Sequence, residues 1–151
     1  MIIKTFFIAA RLITAMTFLL ISSCTTTPMK GYTGPDLPPD KTVVIEGGVY
    51  VDIEKYDNII LTSYQNSVIV LPGDHTIEVS FRDQMYGDFV LYSRHNAFVT
   101  FKAEAGHTYV VYAQMTGLYE WQARVIDKKT DDEIAHSETL PVIKEWIKLR
   151  F

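Results

Sequence analysis

Four histidines, His75, His95, His107 and His136, are the first candidates for chemistry in this chain. None stands in an HxH or HExxH pair, the spacings that aim two imidazoles at one metal from a single strand or helix. A metal site would therefore need residues brought together by the fold. Two of the four share a context. Pro72-Gly73-Asp74-His75-Thr76 and Glu104-Ala105-Gly106-His107-Thr108 each set Gly, then His and Thr, at the start of an alternating strand. Gly73, His75, Gly106 and His107 thus make a candidate turn motif, in which the imidazoles satisfy backbone groups. Asp131, Asp132 and Glu133 form a charged turn without the ligand spacing of an EF-hand. GxSxG, SxxK and phosphate-cradling glycine loops are missing from the sequence, so the residues point away from an enzyme and require neither metal nor cofactor. Tyrosine is the excess, with nine copies. Tyr86, Tyr92, Tyr112 and Tyr119 sit in or beside apolar runs. There an amphipathic ring can stack on a sugar or anchor a protein interface, or pack half-buried with its hydroxyl in water.

The sole cysteine, Cys24, stands apart from all of these. It follows Lys4, Arg11 and the apolar run LITAMTFLLI, Leu12 to Ile21. That run matches the h-region of a secretory signal and is short of the roughly 20 apolar residues of a membrane-spanning helix. Ile21-Ser22-Ser23-Cys24 resembles the lipobox of bacterial lipoproteins. The resemblance implies a diacylglyceryl group on the Cys24 thiol, cleavage before Cys24 and acylation of the new amino group by palmitate or a similar chain. Two or three chains give stable anchoring at about 0.8 kcal/mol per buried methylene, where one is marginal. The plainer reading is an ordinary secretory leader or N-terminal membrane helix followed by an incidental cysteine. Thr25, standing where an aspartate signals inner-membrane retention, favours the outer membrane. The expected location is the bacterial cell envelope, lipid-anchored and facing the periplasm.

Without residues 1–23 the chain keeps 128 residues, enough for one domain. Removing Lys4 and Arg11 leaves 12 basic against 18 acidic side chains. An acidic, lipid-anchored chain without a basic cluster is a poor partner for nucleic acid and offers no second contact with anionic lipid. With Cys24 acylated no disulfide remains, and the core must carry the stability.

The elements that would position these residues follow in three parts. Residues 24–41 hold Pro28, Pro35, Pro38 and Pro39 and read as a lipidated, semi-extended tether. Tyr32 to Pro39 could alternatively lie along the domain as an ordered arm. Residues 42–136 alternate with period two. Ile77, Val79 and Phe81 face one way in TIEVSFR, as do Val99, Phe101 and Ala103 in FVTFKAE. Tyr109, Val111, Ala113 and Met115 share a face, as do Tyr119, Trp121, Ala123 and Val125. Further apolar runs lie at 43–45, 59–64, 68–71 and 89–92, separated by turns such as Gly47-Gly48, Asp57-Asn58 and Pro72-Gly73-Asp74. The expected fold is mainly β, a single antiparallel β-sandwich of seven or eight short strands. It is flanked by an N-terminal signal helix and a short C-terminal helix. That last helix, in residues 137–151, rests on Ile143, Trp146, Ile147 and Phe151 at helical spacing after Pro141. It would pack across the sandwich, or dock on a partner or membrane surface.

LPGDHTIEV, FKAEAGHTYVVYA and the Trp-containing strand ending in RVIDKKTDDEIA together resemble a group of small uncharacterised bacterial lipoproteins. Their sandwich is similar to PEGA-type and transthyretin-like domains. The resemblance spans about Lys41 to Ala135. It implies a fold and a compartment and brings no activity with it. The expected function is a non-catalytic interaction module with an envelope protein partner. The alternative is a lipoprotein that binds an envelope glycan or small ligand through surface aromatics.

Overall fold

The computed structural model describes residues 27–62, 65–83 and 89–146. The signal segment, Cys24, Tyr86 and residues 147–151 lie outside them. The chain is mainly β, as its alternation requires. The strands are β1 (Met29–Lys30), β2 (Val43–Gly47), β3 (Val51–Tyr56), β4 (Ile59–Ile60), β5 (Ser67–Val70) and β6 (Gly73–Asp83). They continue with β7 (Phe89–Ser93), β8 (Ala97–Ala103), β9 (Thr108–Gly117), β10 (Glu120–Asp127), β11 (Glu133–His136) and β12 (Leu140–Trp146).

The seven- or eight-stranded antiparallel sandwich is corrected. The twelve strands form one mixed, strongly curled half-barrel in the order β1-β5-β2-β9-β10-β12-β7-β6-β3-β4, with β11 on β10 and β8 on β6. β1 runs parallel to β5, and β2 parallel to β9. Alternation reveals which residues face the core but not which strand lies alongside or in which direction, so the parallel pairs left no trace in the pattern.

The C-terminal helix is also corrected for its described part: Leu140–Trp146 is a strand, paired antiparallel with β7 from Val142↔Ser93 to Trp146↔Phe89. The spacing of Ile143 and Trp146 fits a helix. However, Val142, Ile143 and Trp146 are β-favouring, and the open edge of β7 supplies a ladder that outweighs weak helical propensity. No α-helix occurs among the described residues; Pro39–Lys41 forms a single 3-10 turn.

The core is aliphatic around one indole. Val43, Ile45, Val68, Val70, Ile77, Val79, Val111, Ala123 and Val125 are fully buried, and Trp121 stacks on Phe81 at 5.5 Å between ring centroids. The proline-rich segment joins the edge of the sheet at residues 29–31 and then folds back on itself. Gly31 donates its N–H to Ile69 O at 2.8 Å, and Leu37 donates to the Tyr32 hydroxyl at 3.0 Å. The Lys30 ammonium reaches Asp36 at 2.7 Å.

Candidate functional site

β6 changes partners along its length, and this opens a groove. Its residues Gly73 to Val79 pair with β8, but Arg82 and Asp83 pair with β7. The chain crosses between the two partners through Ser93–Asn96. Phe81, at the gap, donates its N–H to the Ser93 hydroxyl at 3.1 Å instead of to a strand. The groove measures about 950 Å³. Outward-facing Asp52 and Glu54 of β3, Ser80 and Arg82 of β6, Tyr92 of β7 and Trp146 of β12 line it.

Its groups are held in place. The Ser80 hydroxyl donates to Glu54 Oε1 at 2.6 Å, and Asn96 donates to Glu78 Oε1 at 2.8 Å. The Lys144 ammonium lies 3.9 Å from the Phe89 ring centroid and 4.4 Å from that of Trp146, a double cation–π contact. Phe89 and Trp146 meet edge to face at 5.5 Å. Burial, then the charge of Glu145, pushes the Tyr92 phenol above its ordinary range. The groove therefore offers carboxylates, cations and aromatic faces side by side, a lining suited to recognising a polar chain or a sugar ring. No histidine lines it.

The two Gly-His turns are built as separate clips. Gly73 and Gly106 adopt φ of +149° and +77°, backbone that a side chain would strain. His75 Nε2–H donates to Leu71 O at 2.8 Å, while Nδ1 lies 2.6 Å from the Tyr56 hydroxyl and 3.0 Å from Asp57 Oδ2. His107 Nδ1 lies 2.5 Å from Asp127 Oδ2. Burial raises the pKa of the Asp57 carboxyl, but the Thr76 amide, His75 and Tyr56 outweigh it and hold the group below the usual carboxylate range. Asp127 is likewise held low: His107 and the Lys129 amide overcome its burial. Burial and then the Asp57 charge push the Tyr56 phenol far up. No group of three or more potential metal ligands occurs among the described residues. His136 pairs with Glu133 at 2.8 Å, and His95 is exposed.

The described candidate tyrosines, Tyr92, Tyr112 and Tyr119, do not converge. Tyr92 enters the groove, Tyr112 covers Gly48 so closely that a Cβ there would meet its ring at 2.7 Å, and Tyr119 sits exposed at the β9–β10 hairpin. Sequence reading passed over Asp57 and Asp127, the partners of the histidines. The one available signal was Asp57-Asn58, a hairpin turn between Tyr56 and Ile59 in which Asp57 takes φ +46°. It also passed over Arg82, Lys144 and Trp146 as groove residues, because the change of partner along β6 leaves no local pattern. No protein-family model, curated protein or solved structure matches the chain.

Proposed function

We propose that this chain is a lipid-anchored, non-catalytic binding module of the bacterial cell envelope, facing the periplasm, on the outer rather than the inner membrane. Its groove holds a segment of an envelope protein partner. The observation that carries the reading is the groove at the β6 partner change. It is open, lined by Arg82, Lys144, Asp52, Glu54 and the aromatic faces of Tyr92 and Trp146, and large enough for several residues of extended peptide. The lipid on Cys24 supplies the location, and the curled sheet supplies a rigid frame.

The test is a photo-crosslinking residue placed at Ser80, in the groove, or at Lys129, in the turn after β10 and outside it. Irradiation of cells is expected to give a discrete adduct from position 80 and none from position 129. Identical patterns from both positions would refute the groove as the binding surface.

A second reading is favoured by Tyr92 and Trp146 standing beside the Asp52 and Glu54 carboxylates, the pairing that stacks and hydrogen-bonds a sugar. In that case peptidoglycan fragments would shift the fluorescence of Trp146. Trp146 is 61% exposed, whereas Trp121 is fully buried.

A further inference from the structure

β10 accompanies β12 only at its start. Leu140 aligns with Trp121 and Pro141 with Glu120, and Val142 then donates its N–H to Tyr119 O at 2.9 Å. At Tyr119 the chain is already in the turn that joins β9 to β10. β12 runs on to Trp146 with β7 along one edge. Beside its other edge, in line with β10, no strand stands among the described residues.

The pairing fixes which backbone groups face that gap. Arg94 donates its N–H to Pro141 O, so the antiparallel ladder turns Ile143 and Glu145 toward β7. Lys144 and Trp146 turn the other way, like Val142 with its N–H to Tyr119. The N–H and C=O of Lys144 and the N–H of Trp146 have no hydrogen-bond partner among the described residues. The gap from Val142 to Trp146 is about 13 Å of strand. The outer edge of β3 is treated differently. There the Asn66 amide accepts from Ile53 N–H at 2.9 Å and donates to Val51 O at 2.8 Å, closing the edge with a side chain. Lys144, Glu145 and Trp146 instead border the groove.

A row of outward N–H and C=O groups is complemented by another extended backbone. The charges on β12 then decide whose backbone. Two copies of this chain paired antiparallel about Lys144 would set Lys144 opposite Lys144, and paired about Glu145 would set Glu145 opposite Glu145. Like charges directly opposite are destabilising, so the edge rejects its own copy. A strand with the opposite charges in the opposite order is accepted.

We propose that the partner segment held in the groove enters as an added strand on β12, antiparallel to it and in line with β10. One residue opposite Lys144 then takes both of its free groups, and the next but one reaches Trp146. In the order of the partner's own chain, the residues opposite Trp146, Glu145 and Lys144 are aromatic or β-branched, then basic, then acidic. This states the conformation and charge order of the partner, and it rests on the groove being the binding surface.

The test uses the full-length protein with a photo-crosslinking residue at Ser80, irradiated in cells. In the free protein the Lys144 and Trp146 amides should exchange hydrogen fast, between slow Ile143 and Glu145. In the purified Ser80 adduct both should slow by about tenfold or more. Lys144→Pro removes one outward N–H and leaves the ladder to β7, and should cut the adduct about tenfold or more. Lys144→Ala keeps that N–H and should cut it only about two- to fivefold, through the lost charge pair. The exchange comparison needs no variant, so it decides even where Lys144→Pro unfolds. An adduct in which both amides exchange as fast as in the free protein overturns the added strand and leaves the groove standing. Slow exchange at both amides in the free protein overturns the added strand too. No adduct from Ser80 overturns the groove as the binding surface and the added strand with it.

Discussion

Replacing Asp127 should make the protein less stable at neutral pH and blunt its sensitivity to acid. Asp127 closes β10 and is 3% exposed. Its Oδ2 accepts from His107 Nδ1 at 2.5 Å and its Oδ1 from the Lys129 N–H at 2.9 Å. Asp127→Ala strands both donors. Each hydrogen bond to a charged group is worth about 1.5–3 kcal/mol; set against relief from burying the carboxylate, the net loss should be about 2–4 kcal/mol. Asp127→Asn keeps the shape and an acceptor for one donor, and should lose about 1–2 kcal/mol. The sign with pH follows from the carboxyl being held below its unfolded value. The contribution is complete above about pH 4 and is lost as the pH falls through the lower folded value. Urea unfolding of the wild type and Asp127→Asn at pH 7, 4 and 3 measures it. The gap between them should be widest at pH 7 and narrow at pH 3. Equal midpoints at pH 7, or a gap unchanged by acid, would refute the clip as a stabilising contact.

Other outcomes follow from the same packing. Trp121→Ala should cost about 3–5 kcal/mol by opening a cavity against Phe81, read as a lower urea midpoint. Trp121→Phe should cost much less, because the indole N–H is buried and has no acceptor among the described residues, so its removal relieves a desolvated donor. Gly106→Ala should cost about 1–2 kcal/mol from strain at φ +77°, with the melting temperature as readout. Cys24→Ala should leave the membrane fraction and fail to take up labelled palmitate.

The strand faces were legible because period-two alternation is a local signal. Ile77, Val79 and Phe81 are buried where the alternation of TIEVSFR puts them, as are Val99, Phe101 and Ala103 in FVTFKAE. Tyr119, expected on the face of Trp121, lies open, because it sits in the turn before β10 and the register shifts between Glu120 and Trp121. Curling and parallel pairing were not legible. β2 meets β9 across some sixty residues of sequence, and nothing near Ile45 indicates Tyr109. The tail misled because Ile143 and Trp146, three residues apart, have helical spacing and fall on opposite faces of a strand, while the deciding factor was an unfilled edge on β7 that the local pattern does not show. The Gly-His motif was legible as two turns. Its partners were not, since Asp57 and Asp127 come from hairpin and strand ends that only the sheet brings alongside. The groove was legible only in Tyr92; Arg82, Lys144 and Trp146 join it through the crossing between β7 and β8.

The proposed function has the lipid on Cys24 position a sheet whose groove holds an envelope protein. In-cell crosslinking followed by co-purification of the full-length protein, beside Cys24→Ala, tests it most directly. A discrete partner should be recovered with the wild type from the membrane fraction and lost with Cys24→Ala. Recovery of the same species with both forms, or of nothing specific with either, would contradict it.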